Sequence, residues 1–223
     1  MEKRKLLLNE YNTATDGLWT LSACVITKGE QVQTFLEVPG RYAPLDLSGY
    51  LTDEQPYYGS ARLDATLESS EGDRDARQAR IDELVNSFDG KSITIIHPDH
   101  PNHYLVGRVQ IYPQYNDPAH AAVMIGAVCE PWFYKSSETT HTLTASSTNK
   151  TASITNSGRL AVVPSVTVTG SGTFTLTYGQ HTWNLAAGDH LLPDLYLTPG
   201  THTVTYKGSG TMKITYREAV LAA

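Results

Sequence analysis

Three groups of side chains in this sequence are of types that do chemistry. The densest is His97-Pro98-Asp99-His100-Pro101-Asn102-His103. Imidazoles at intervals of three, with a carboxylate among them, are donors that zinc or nickel accepts. A metal site usually draws its ligands from separate elements, and each imidazole needs a second partner to orient it. Here every donor lies in one loop broken by prolines, which limits how the rings converge. The run is read as a turn, ahead of a metal site and of a pH-sensitive switch. The second group is the acids Asp46, Asp53, Glu54, Asp64 and Glu68. Glycoside hydrolysis needs two carboxyls roughly 5–10 Å apart on facing elements, and nothing in the spacing pairs these five. The sequence holds no G-x-S-x-G elbow, phosphate loop or dinucleotide fingerprint. The reading is therefore no enzyme, no metal and no cofactor. The third group is Tyr178, His181 and Trp183 in YGQHTWNL. An exposed Trp ring stacks on a sugar face, but a single Trp in a small sandwich more often fills the core.

These side chains must be held by strands. Residues 18–26 read as a strand with Trp19, Leu21, Ala23 and Val25 on one face. Thr27-Lys28-Gly29-Glu30 resembles a hairpin turn, with Gln31–Val38 returning as a second strand. Ala61–Glu68 follows, with Leu63, Ala65 and Leu67 aligned. Asp73 caps a helix predicted over about 74–88, whose stripe is Arg77, Ile81, Leu84, Val85 and Phe88. Gly90 is placed to end it in a left-handed conformation. Arg74, Arg77 and Arg80 are read as a solvated face paired with Asp75, Asp82 or Glu83. Residues 92–97 suit a central strand. Strands at 104–112 and 121–129 follow, separated by a loop at 113–118.

A polar stretch, Lys135–Thr140, marks the domain boundary, giving domains 1–137 and 138–223. Beyond it Thr alternates in SVTVTG, TFTLTY, THTVTY and TMKITY, with Gly-Ser-Gly at 170–172 and 208–210 as tight turns between them, and the likeness of THTVTY to TMKITY reads as a hairpin rhythm. Val166, Val168, Phe174, Leu176, Tyr178, Val204, Tyr206, Ile214 and Tyr216 are the expected inner faces. The fold class is mainly β: an N-terminal sandwich or half-open barrel with one inserted helix and a long arm, then a jelly-roll or galectin-like sandwich.

Composition narrows the function. Charged residues are 18% of 223 and the formal net charge is −6, so the average surface repels nucleic acid and anionic lipid. After MEKRK the apolar run is only Leu6–Leu8, shorter than the ~7–15 residues of an export signal. No stretch reaches the ~18–20 apolar residues of a membrane span. The expectation is a protein made in the cytoplasm, with no membrane partner and no specific nucleic-acid binding. Asn149-Lys150-Thr151 fits a glycosylation triplet, which carries no weight without export. Cys24 and Cys129 sit in apolar runs and are expected as two buried thiols rather than a disulfide.

The run at 38–63, VPGRYAPLDLSGYLTDEQPYYGSARL, contains none of these chemistries. Pro39-Gly40 is turn chemistry, Pro44 and Pro56 exclude a central strand, and Leu45, Leu47 and Leu51 alternate with polar residues. It reads as an arm over about 38–60, and an arm suits a ring whose subunits grip one another. The stretch resembles the distal tail proteins of long-tailed, non-contractile bacteriophages, whose arm has a PG-R…LDL…YG-R pattern. DGKSITIIHPDHPNHYLVGRVQI (89–111) is similar to that family's helix end, strand, acidic Pro-containing loop and YxxGRV strand. CEPWFYK (129–135) is similar to its C-x-P-aromatic segment. Together these cover much of residues 1–135. The sequence departs from the family at Tyr42-Ala43-Pro44, where a glycine turn is common.

The resemblance implies a structural virion protein at the tail tip, forming a homohexameric ring. It also implies contacts with the tail tube and tail-tip hub proteins, and with fibres or receptor-binding proteins. Pro39, Arg41, Leu45, Asp46, Leu47, Tyr50, Leu51, Tyr57 and Tyr58 are the expected arm interface. The alternative is a carbohydrate-binding module or adhesin acting through Tyr178, His181 and Trp183.

Overall fold

The structure, a computed structural model, describes residues 4–50 and 57–222. They divide into two compact units, residues 4–133 with 221 and 222, and residues 134–220. The chain is mainly β, with one α-helix among the described residues.

The first unit begins with β1 (Leu7–Leu8), β2 (Tyr11–Asn12) and β3 (Thr20–Thr27). Then β4 (Phe35–Leu36) and β5 (Leu45–Asp46) form a separate two-stranded ribbon before β6 (Ala61–Ser69). After helix α1 (Arg74–Phe88) come β7 (Ser92–Ile96), β8 (His103–Asn116), β9 (Ala121–Cys129) and β10 (Trp132–Lys135). The main sheet runs β2-β1-β7-β8-β9-β6-β3, antiparallel throughout. The two ends of this path are consecutive in the chain: residues 13–19 join them, and Trp19 N–H donates to the Thr13 carbonyl at 2.8 Å. Leu8 near one end and Leu21 at the other share one buried core with Leu63, Ile95 and Val109. The sheet therefore curls around its own core, which is the half-open barrel of the two forms expected.

Period-2 alternation builds most of that core: in β6, Ala61, Leu63, Ala65, Leu67 and Ser69 point inward. Strand β3 breaks the rule. The expected face of Trp19, Leu21, Ala23 and Val25 does not persist, because a bulge between Leu21 and Ala23 puts an extra residue opposite β6. Beyond it Cys24 and Ile26 pack on the core, while Val25 is exposed. The loop expected at 113–118 is also corrected. Strand β8 continues to Asn116 through Pro113, which lies beyond the stretch that pairs with β7 and beside a second bulge, between Pro113 and Tyr115.

Helix α1 starts where the sequence places it, with Asp73 Oδ1 accepting the Ala76 N–H at 2.8 Å. It ends before Gly90, whose φ of 72° is left-handed. Arg77, however, is not on a solvated face. It is 1% exposed and lies in the stripe with Ile81, Leu84 and Phe88. Its guanidinium donates at 2.5 Å to the carbonyls of Gly72 and Asp117, tying the helix start to the β8–β9 turn. Carbonyls, rather than Asp75 or Glu83, take its charge.

Gly107 and Cys129 are register partners on β8 and β9. A Cβ on Gly107 would meet the Cys129 Sγ at 2.5 Å, so these strands pack closely only because residue 107 lacks one. Both cysteines are free thiols, Cys129 buried and Cys24 half-buried.

The second unit contains β11 (Thr139–Thr144), β12 (Lys150–Asn156), β13 (Ser165–Thr169), β14 (Phe174–Tyr178), β15 (His181–Leu185), β16 (Gly188–Leu191), β17 (Gly200–Gly208) and β18 (Thr211–Tyr216). They pair first with last inward: β11 with β18, β12 with β17, β13 with β16 and β14 with β15. Rolling that long hairpin sets β18 beside β13 and β17 beside β14, giving two four-stranded sheets, β11-β18-β13-β16 and β12-β17-β14-β15. This is the jelly-roll order. The expected inner residues line its core, with Tyr178 at the margin. The Gly-Ser-Gly turns are not hairpins, nor are THTVTY and TMKITY hairpin partners. Residues 170–172 and 208–210 each cross from one sheet to the other. The crossovers stack, a Cβ on Gly210 falling 2.3 Å from the Thr169 carbonyl oxygen and one on Gly208 2.1 Å from that of Thr173.

Gly107→Ala should cost about 1–3 kcal/mol of stability, because overpacking forces strands or Sγ to move. Urea midpoints measure it. Combined with Cys129→Ala, the loss should be smaller than the two single losses added; additivity would show that the contact is not tight.

Candidate functional site

The feature that stands apart from both cores is the excursion between β3 and β6. Its base is pinned by backbone: Gly59 N–H donates to the Glu30 carbonyl at 2.8 Å and Val32 N–H to the Tyr57 carbonyl at 2.9 Å. Gln31 bridges Tyr58. Gly29 permits the pinch, since a Cβ there would lie 1.9 Å from the Gly59 oxygen. Farther out Phe35 pairs with Asp46 and Leu36 with Leu45, and Leu47 N–H donates to the Thr34 carbonyl at 2.8 Å. The expected return strand Gln31–Val38 is thus not a partner of β3. It is one side of the arm, which begins at Glu30 rather than near Val38. Strand β3 pairs with β6 instead, because the pinch brings those strands together.

Successive residues of a strand face opposite ways. Phe35 and Leu36 are 56% and 50% exposed, so both faces of the ribbon present a large apolar side chain to solvent. Of the residues read from sequence, Pro39 and Arg41 lie exposed in the tip loop, where Arg41 N–H donates to the Val38 carbonyl. Leu45 and Asp46 form β5, and Leu47 follows it on the ribbon. Asp46 is held ionised by bonds from Ser48, side chain first and then the backbone N–H at 2.9 Å. Tyr50 and Tyr57 are exposed. Tyr58 is held at the base, edge-on to Trp132 at 5.9 Å with Lys28 over its ring at 5.4 Å. Leu51, with Asp53, Glu54 and Pro56, lies outside the described residues. Val32, Phe35 and Leu36 were missed because alternation alone does not tell a ribbon from a strand of the domain.

The histidine run forms a turn: His100 N–H donates to the His97 carbonyl and His103 N–H to that of His100. His100 and His103 pack their rings around Phe133, at 4.6 and 6.3 Å. Among the described residues no three or more His, Cys, Asp or Glu gather as metal donors. His97 is buried, its Nδ1 accepting the Asp99 N–H at 3.1 Å and its other N–H facing the Cys24 carbonyl of β3. It thereby links the end of β7 to β3 across the opening of the barrel. Burial pushes its pKa down, against the opposing pull of Asp99.

In the second unit Tyr178 and Trp183 pack against the core. His181 stacks on Trp183 at 5.8 Å and lies 3.7 Å from Asp194. The Tyr178 hydroxyl contacts the His202 Nδ1 at 2.9 Å and the Tyr196 carbonyl at 3.1 Å.

No family model matches the chain, and no curated protein does. A solved structure does. It is the SPP1 Dit (gp 19.1) protein, described as a paradigm of the hub adsorption apparatus in phages infecting Gram-positive bacteria, matched with a TM-score of 0.66 at 14% identity over 97% of this chain and 99% of that one. The chain has the Dit fold. The likeness spans both units, and the three sequence motifs acquire positions within it. Of the 38–63 stretch, residues 38–50 and 57–58 belong to the arm and 59–63 follow it, the YxxGRV segment lies in β8, and CEPWFYK runs from the end of β9 through β10. The last two motifs meet where Cys129 lies over Gly107. No helix of the described residues is long and apolar enough to cross a membrane.

His97 sets a pH dependence. The unfolded chain binds its proton near the ordinary ~6.5 and the folded chain only below that. The stabilisation is present in full above ~6.5 and is lost as pH falls through the lowered folded value. His97→Gln should therefore reduce the loss of Tm between about pH 7 and 5 relative to wild type; parallel Tm–pH curves would contradict this.

Proposed function

We propose that this chain is a distal tail protein: a structural virion component that assembles as a homohexameric ring at the tip of a phage tail. The observation that carries the reading is the arm. It belongs to neither buried core, and its ribbon exposes apolar side chains on both faces, so no single surface of its own subunit covers it. A ring needs a heterologous interface whose two halves differ, and a projecting hairpin supplies one half. The Dit fold over almost the whole chain supports the same reading. In it the first unit forms the ring, and the second unit faces fibres or receptor-binding proteins. The tail tube and the tail-tip hub proteins are the remaining partners. The negative net charge suits a channel along which DNA slides without sticking.

Because Glu30 and Gly59 are already bonded, replacing residues 31–58 with a tight turn should leave β3 and β6 paired and both units folded. Light scattering should give about six times the 24.4 kDa monomer for the intact chain and a monomer for the shortened one. A shortened chain of the same mass as the intact assembly would overturn the role of the arm.

A further inference from the structure

The outward face of the main sheet is unusual around β9. An antiparallel sheet with one buried face normally turns polar side chains outward, yet Val128 on β9 is 60% exposed and Met124 38%. Between them on the same face is Gly126, which adds no side chain of its own and is flanked by the Asp64 carboxylate and the Tyr112 ring, 3.7 and 3.8 Å from where a Cβ would stand. Positions 124 and 128 are roughly 13 Å apart along a strand, wide enough for a ribbon edge. The register places Arg62 of β6 on one side of Val128 and Arg108 of β8 on the other. Arg62 is engaged by Asp64 at 2.8 Å, which leaves this Arg–Val–Arg row with one net positive charge.

One face of the arm has the opposite character. Phe35 is paired with Asp46, and Glu37, exposed, follows the ribbon two residues on. An exposed phenylalanine is thus flanked by two exposed acids. The other face carries Leu36 opposite Leu45. Apolar centre meets apolar centre, and acids meet arginines.

We propose that the Phe35 face of one copy's arm docks across the Val128 row of a second copy, with Glu37 and Asp46 against Arg62 and Arg108. This rests on the arm reading above and names the surface that receives it. Both surfaces belong to the first unit, so every subunit carries one donor and one acceptor, as a closed ring requires. Because part of the attraction is between exposed charges, assembly should weaken as salt rises.

Two full-length single variants, Phe35→Cys and Val128→Cys, alter exposed positions and keep the fold. Burial raises the native Cys24 and Cys129 thiols to about 12 and about 11, which disfavours their reaction at neutral pH, and the background is read from the unsubstituted chain. Mixed and treated with a short bismaleimide, the two variants should give a covalent dimer that neither gives alone. In a second measurement, Arg62→Glu with Arg108→Glu should weaken association about tenfold or more. Mixing with Glu37→Lys, Asp46→Lys chains should restore part of it. An assembly of normal mass with no 35–128 crosslink overturns this acceptor surface and leaves the arm reading standing. A chain that is monomeric at every concentration and gives no crosslink overturns both.

Discussion

The architecture of the first unit depends on a pinch. Between β3 and β6 the chain leaves the sheet, yet the two strands remain hydrogen-bonded neighbours from Thr20 opposite Glu68 to Thr27 opposite Arg62. That is possible only if the excursion starts and ends at nearly the same point. Gly29 against the Gly59 carbonyl makes it so, and any side chain at 29 would hold the two segments apart. The entropic cost of closing such a loop rises only slowly with its length, so a long arm burdens the fold little more than a short one. The sheet is completed at the pinch, and the ribbon beyond it is free of the core's demands.

The rest of the barrel is closed by smaller, local devices. The Arg77 guanidinium fastens the helix start to the β8–β9 turn through carbonyls, and His97 spans the opening between β7 and β3. The first replaces a missing turn of backbone pairing with a permanently charged donor. The second is a neutral ring whose two nitrogens are both committed. One curved sheet thus wraps a core that helix α1 also covers.

Much of this was legible in the sequence because it is local. Alternation in 61–68, the Asp73 cap, the Gly90 stop and the inner-face residues of the second unit all follow from periodicity and turn chemistry. The misreadings share a cause: each depends on a partner far along the chain. Nothing in LSACV reveals that an extra residue will sit opposite β6, and nothing near Pro113 says that β8 will bulge there. Arg77 reads as solvated until Asp117 is known to lie beside it. Gly-Ser-Gly has the same chemistry in a hairpin and in a sheet crossover, and only the pairing tells them apart. The arm shows the same division. Its proline and glycine punctuation was visible, but Phe35 and Leu36 looked like an ordinary strand, and the Val128 row has no sequence signature at all.

The jelly roll has two unlike poles. At one, residues 145–149, 170–173, 186–187 and 209–210 join strands by short links, two of them stacked backbone on backbone. At the other are the longer loops 157–164 and 192–199, clasped by the buried Asn156 amide to the Leu160 and Leu197 carbonyls, and there the chain also enters and leaves the unit. A probe attached at the glycine-sealed pole, remote from both covalent connections, would report the orientation of the sandwich as a body rather than the wandering of one loop.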